Sequence, residues 1–272
     1  MKKILFCLSL SICILIPQVA TALEATREGS VLRFTGGIDK ESEKVILQHL
    51  RSGASTLIVN SVGGSAESGQ AIAFEIIKQK ANVIVDKYCF SACANYLFLA
   101  ATEKSLLSGA VLGFHGGLFD KNEFAIKKGD NDEEKQGKKH FLKLFKNDSA
   151  QYKVLSIDHQ ILRDSYELTK GKLSPGTVSI HVNDETHNFS FEQRNELEKL
   201  IRDLKKEGKN FTFTVSRPSN QSLSKVYFPS KEALIKKYRV KGIANYPYPN
   251  NQEEMNTIAK EISNDLEVVG DF

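Results

Sequence analysis

Three short segments hold the residue types that acyl transfer needs: Ser61-Val62-Gly63-Gly64-Ser65, Cys89-Phe90-Ser91-Ala92-Cys93 and Gly113-Phe114-His115-Gly116-Gly117. A glycine pair lets a backbone amide meet an incoming carbonyl with no side chain in the way. A serine at a helix start can act as a nucleophile, and a histidine titrates near enough to neutrality to take its proton. Each part alone has a plainer reading: a strand-to-helix turn, an N-cap serine, a structural histidine. The conjunction points to a nucleophile, a base and an oxyanion site.

These residues need elements to position them. Thr56-Leu57-Ile58-Val59 reads as a strand ahead of the glycine pair, and Val83-Ile84-Val85-Asp86 as a strand ahead of Ser91. Residues 92–101 are hydrophobic nearly all round, which predicts a buried helix with Ser91 at its N-terminus, facing free backbone N–H groups and the positive end of the dipole. The Ala92 amide is then a natural second oxyanion donor. His115 leaves the buried strand Ala110-Val111-Leu112-Gly113-Phe114. Residues 39–50 and 65–80 carry apolar positions at helical spacing. Strand and helix alternate over residues 31–101, so the class expected is α/β with a parallel core.

The chain resembles the ClpP/crotonase superfamily, in particular the proteolytic subunit of Clp protease and, more closely, its exported periplasmic relatives. The resemblance runs through Phe34-Thr35-Gly36-Gly37-Ile38, residues 60–64, Gly69-Gln70-Ala71-Ile72, residues 89–93, Gly113-Phe114-His115 and the late segment Tyr227-Phe228-Pro229-Ser230-Lys231-Glu232-Ala233-Leu234. It implies a spiral of β-β-α units with Ser91 as nucleophile, His115 as base, and the amides of Gly64 and Ala92 as the oxyanion hole. For the third triad member it leaves a choice. The aligned place holds Lys225; Asp164 lies at a similar distance beyond the histidine and is the candidate, with Asp158 and Glu167 as alternatives. If none reaches His115, the site is a Ser-His dyad or catalytically dead. The activity implied is that of an ATP-independent serine endopeptidase acting on peptides or proteins. The alternatives are a noncatalytic binding or assembly protein on the same scaffold, and an esterase or acyl-CoA enzyme, though free CoA fits poorly with export.

Export is read from the N-terminus. Lys2-Lys3, an apolar run over residues 4–16 and the small residues Ala20 and Ala22 form the three parts of a secretory leader, with cleavage expected after Ala22 and a periplasmic or secreted product. The apolar run is shorter than a membrane span needs, so no stable anchor is expected after cleavage. An ATPase partner is not expected where ATP is scarce. Cys89 and Cys93 alone remain in the mature chain and bracket Ser91. They are either a disulfide that braces the nucleophile turn in an oxidising compartment or two small buried hydrophobes.

The formal net charge is +4, and Lys2 and Lys3 supply two of those charges. That balance argues against nucleic acid as a partner. Domain organisation is read as a leader at 1–22, a core at 23–175, an inserted β-α-β module at 176–216, the end of the core at 217–250 and a tail at 251–272. The module follows from alternating Val178, Ile180 and Val182, a capping box over Ser190-Phe191-Glu192-Gln193, helical spacing of Leu197, Leu200, Ile201 and Leu204, and alternating Phe211, Phe213 and Val215. Residues 127–139 are densely charged and read as a solvated surface segment; in the resembled family the corresponding region is a handle used in assembly, which makes a homo-oligomer possible. His181, Asp184, Glu185 and His187 fit no familiar ligand spacing, and neither a metal nor a cofactor is expected.

Overall fold

The apolar segments pair much as their spacing predicts. A computed structural model describes residues 23–118, 125–127, 129–130, 132–174, 177–182, 185–190, 193–216, 219–221 and 225–272; the expected leader at 1–22 lies outside them. Strand β1 (Glu24–Glu28) pairs antiparallel with β2 (Val31–Ile38), and β2, β3 (Thr56–Gly64) and β4 (Asn82–Phe90) follow as parallel neighbours. Two short strands, β5 (Lys104–Leu106) and β6 (Val111–Gly113), pair in turn with the first and last parts of β4. The result is a mixed α/β architecture with a mostly parallel sheet.

Helices α1 (Lys40–Arg51) and α2 (Ala66–Gln79) are the crossovers, and they pack against each other. Each starts where a cap demands it. The Asp39 carboxylate accepts from the Ser42 N–H at 2.8 Å while the Ser42 hydroxyl accepts from the Asp39 N–H, and Ser65 receives the Ser68 N–H. Leu32, Phe34, Leu57, Val59, Val83 and Val85 carry the strand face of the core, and the inward side of the helices adds Ile46, Leu50, Ile72 and Ile76.

Helix α3 (Asp132–Leu155) begins inside the charged run that the sequence assigned to a solvated segment. Lys135 reaches Asp132 at 3.4 Å one turn away, and Lys138 reaches Asp130 at 2.8 Å, so the charges support the helix start instead of opposing it. The amide of Gln70 on α2 donates to the Leu144 carbonyl at 2.9 Å and ties α3 to the core. Helix α4 (Gln160–Thr169) follows.

The insertion differs from its expected form. Strand β7 (Lys170–Ser174) pairs antiparallel with β11 (Ser219–Gln221), so the chain leaves and re-enters the core along a ribbon that extends beyond 176 and 216. Between them lie β8 (Thr177–Val182), β9 (Glu185–Ser190), α5 (Arg194–Lys206) and β10 (Thr212–Ser216), with the sheet ordered β10-β8-β9. The module is therefore β-β-α-β. Its β9 carries polar residues at nearly every position and gives no alternation to read. Ile180, Val182 and Leu204 form a small core of its own. On this hairpin His181 meets the Thr186 hydroxyl at 3.0 Å and His187 meets Glu185 at 3.6 Å; Asp184 lies outside the described residues.

The expected tail is an integral part of the core. Helix α6 (Gln252–Ile262) starts at Asn251, whose side chain accepts from the Glu254 N–H, and buries Met255 and Ala259. Strand β13 (Glu267–Gly270) then pairs in parallel with β12 (Lys225–Phe228). Tyr227 of β12 exchanges backbone hydrogen bonds with Phe114, the residue before His115. Residues 251–272 thus close the structure beside the histidine. Among the described residues no helix is long and apolar enough to cross a membrane.

Candidate active site

Ser91 stands where β4 ends, with φ at +54°, a left-handed backbone that a non-glycine residue adopts at a cost of about 1–3 kcal/mol. Two hydrogen bonds hold it there: its N–H donates to the Gly113 carbonyl at 2.9 Å, and its carbonyl accepts from the Asn95 N–H at 2.8 Å. The following segment is buried as expected but wound with the wider π pattern over Cys93–Phe98. Cys89 and Cys93 form a disulfide around the turn, with Cα atoms 5.2 Å apart. Of the two readings of these cysteines, the bridge is the one the structure adopts.

Gly63 packs directly on this turn. A Cβ there would fall 2.5 Å from the Phe90 carbonyl oxygen and 2.8 Å from both the Ala92 nitrogen and the Ser91 Cβ, so any side chain would displace the serine. The resemblance implies Gly64 as an oxyanion donor together with Ala92; Gly64 lines the cavity, while Gly63 is the residue whose lack of a side chain lets β3 approach Ser91.

His115 is 9% exposed and follows β6 immediately after the Phe114 bridge. Burial pushes its imidazole below its ordinary pKa, and its own backbone hydrogen bond offsets part of that shift. The neutral, proton-accepting form is thereby favoured. The next residue is pinned from both sides: the Gly116 N–H donates to the Ser165 hydroxyl at 2.9 Å and its carbonyl accepts from the Asn95 amide at 2.9 Å.

Ser91, His115, Gly63 and Gly64 line one cavity of about 650 Å³. Its other walls are Val62, Tyr88, Phe90 and Val226, with Ile262, Ser263, Asp265 and Leu266 from the end of α6 and the turn beyond it. Ala92 is buried, with its backbone nitrogen against Gly63.

Asp164 is not brought to this cavity, which corrects its assignment as the third triad member. Its carboxylate accepts from the Gln160 amide at 2.8 Å, the Tyr238 hydroxyl at 2.9 Å and the Lys237 ammonium at 2.8 Å. Partial burial raises its pKa, but those hydrogen bonds outweigh it and hold the carboxyl below the usual range. Successive helical residues point about 100° apart. Helix α4 therefore presents Ser165 to the histidine loop and turns Asp164 toward Tyr238. The alternatives are engaged elsewhere too: Asp158 pairs with Arg239 at 2.8 Å, and Glu167 with Lys170. Lys225, which the resemblance aligns with a catalytic acid, pairs with Glu267 at 2.6 Å across β12 and β13.

The carboxylate that does line the cavity is Asp265, which sequence reading placed in a tail. Only the elements flanking it left a signal: Asn251 with Glu254 as a helix start, apolar Met255, Ile258, Ala259 and Ile262 at helical spacing, then Val268-Val269. Among the described residues no group of three or more histidine, cysteine or acidic side chains could hold a metal. No protein-family model matches the chain, and no curated protein matches it either.

Proposed function

We propose that this chain is an exported, ATP-independent serine peptidase on a ClpP/crotonase-type spiral. The observation that supports it most is Ser91, held in a left-handed conformation at a strand-to-helix turn and facing one cavity with His115. A strained, half-buried serine that shares a cavity with a buried imidazole is the arrangement nucleophilic catalysis needs.

In this reading Ser91 Oγ attacks the peptide carbonyl carbon while His115 takes its proton. The amides of Gly64 and Ala92 hold the oxyanion. The C–N bond then breaks as His115 returns the proton to the leaving amine, and a water molecule, deprotonated by His115, hydrolyses the acyl-enzyme. The lowered pKa of His115 keeps it a base at neutral pH. The Cys89–Cys93 disulfide supports an oxidising compartment, in keeping with a leader removed after Ala22.

The test is labelling of the purified mature protein with a fluorophosphonate. Labelling of the wild type that disappears in Ser91→Ala supports the peptidase. Absence of labelling overturns it in favour of a noncatalytic binding or assembly protein, a reading that the engagement of Asp164 by Lys237 and Tyr238 favours.

A further inference from the structure

Asp265 contributes a carboxylate to a cavity whose other lining is mostly apolar. It sits on the turn between α6 and β13, where its N–H donates to the Ser263 hydroxyl and the Leu266 N–H donates to the Ser263 carbonyl. Among the described residues no lysine or arginine pairs with the Asp265 carboxylate, and none lines the cavity. Its sequence neighbour Glu267 is by contrast neutralised by Lys225. Tyr88 and Phe90, whose rings stack at 5.2 Å, add two aromatic surfaces to the same wall system.

Apolar walls, aromatic faces and one unpaired carboxylate describe a receptor for a long aliphatic stem that ends in a positive charge. The methylenes of lysine or arginine gain from burial against Val226, Ile262 and Leu266. The cationic head gains from the aromatic faces and from the carboxylate. A norleucine side chain fills the same space without the charge, and a glutamate side chain meets repulsion.

We infer that Asp265 is a specificity-determining residue that selects peptides carrying a lysine or arginine next to the bond Ser91 attacks. This rests on the peptidase reading and deepens it. Asp265 is exposed, so the preference arises as the bound side chain excludes water, and a selectivity of about tenfold is expected from a charge-assisted hydrogen bond.

The experiment compares three peptidyl diphenyl phosphonates that differ only in the side chain facing this cavity: lysine, norleucine and glutamate. Second-order rates of Ser91 modification are read for the wild type, Asp265→Asn and Asp265→Lys, and preferences are taken as ratios within each protein, so any change in overall reactivity cancels. The expected result is a lysine-to-norleucine ratio of about ten in the wild type, a ratio near one in Asp265→Asn, and a shift toward the glutamate probe in Asp265→Lys. Equal ratios in all three proteins overturn the inference. So does a wild-type preference for norleucine. A fluorophosphonate on wild type and Ser91→Ala separates the two levels: labelled Ser91 with unchanged ratios overturns the role of Asp265 alone, whereas unlabelled Ser91 overturns the peptidase reading and this inference with it.

Discussion

Cys89 and Cys93 are covalently joined across the turn that presents Ser91, so the residue in the left-handed conformation lies inside a closed loop of a few residues. Both sulfurs are buried, one at the end of β4 and one at the start of the π-wound segment. The bridge restrains the turn in the unfolded chain as well as in the folded one. A loop this short removes little chain entropy, which limits its contribution to about 2 kcal/mol. The double variant Cys89→Ala/Cys93→Ala is therefore expected to unfold at lower denaturant by that amount, and to lose more in Ser91 labelling rate than in stability. Thiol titration of the denatured, unreduced mature protein should find no free thiol.

The relation between Asp164 and Tyr238 replaces a catalytic expectation with a structural one. The carboxylate joins α4 to the segment after β12 through Tyr238 and Lys237, so Asp164→Asn weakens that junction without touching the cavity. The expected loss is about 1 kcal/mol in chemical denaturation, with fluorophosphonate labelling of Ser91 unchanged. Loss of about 10⁴-fold in labelling with the fold intact would return Asp164 to the triad.

What could be read from the sequence was local. Ser91, His115 and the Gly63-Gly64 pair announced themselves because turn chemistry and strand-helix alternation act over a few residues, and Asp39 and Ser65 marked helix starts for the same reason. The carboxylate in the cavity could not be read this way. Asp265 shares a cavity with Ser91 only because β13 pairs with β12 and β12 bridges to Phe114, a chain of long-range pairings that no local pattern encodes. All-round hydrophobicity of residues 93–98 announced burial, but the same pattern suits an α or a π winding. The polar strand β9 hid for the opposite reason: a hairpin module with one small core needs few apolar residues on its outer strand.

Burial of His115 sets the acid limb of any Ser91 reaction. Because its folded pKa lies below the ordinary value of 6.5, the neutral base persists to lower pH than an exposed histidine would allow. The labelling rate should fall with a midpoint below 6.5 as the pH drops. The same shift has a stability consequence. Between the folded value and 6.5 the unfolded chain binds more protons, so stability falls as the pH is lowered through that window. His115→Gln should remove this component of the acid slope, which pH-dependent denaturation curves would measure.

Lys104 provides the corresponding test at alkaline pH. Its side chain is 3% exposed, and its ammonium donates to the carbonyls of Ala101 and Lys241, the latter at 2.9 Å. Burial nevertheless lowers its pKa to about 8, against an ordinary 10.5. Between those values the unfolded chain holds a proton that the folded chain has released, so folding becomes more favourable as the pH rises through the window. From roughly pH 8 to 9.5, below the range where buried tyrosines oppose it, the gain expected from this one group is about 1–2 kcal/mol. Lys104→Met keeps the aliphatic bulk and removes the titration. Urea denaturation of the two proteins across that range should give a wild-type stability that rises relative to the variant; parallel curves would mean that Lys104 keeps its proton through its two carbonyl partners.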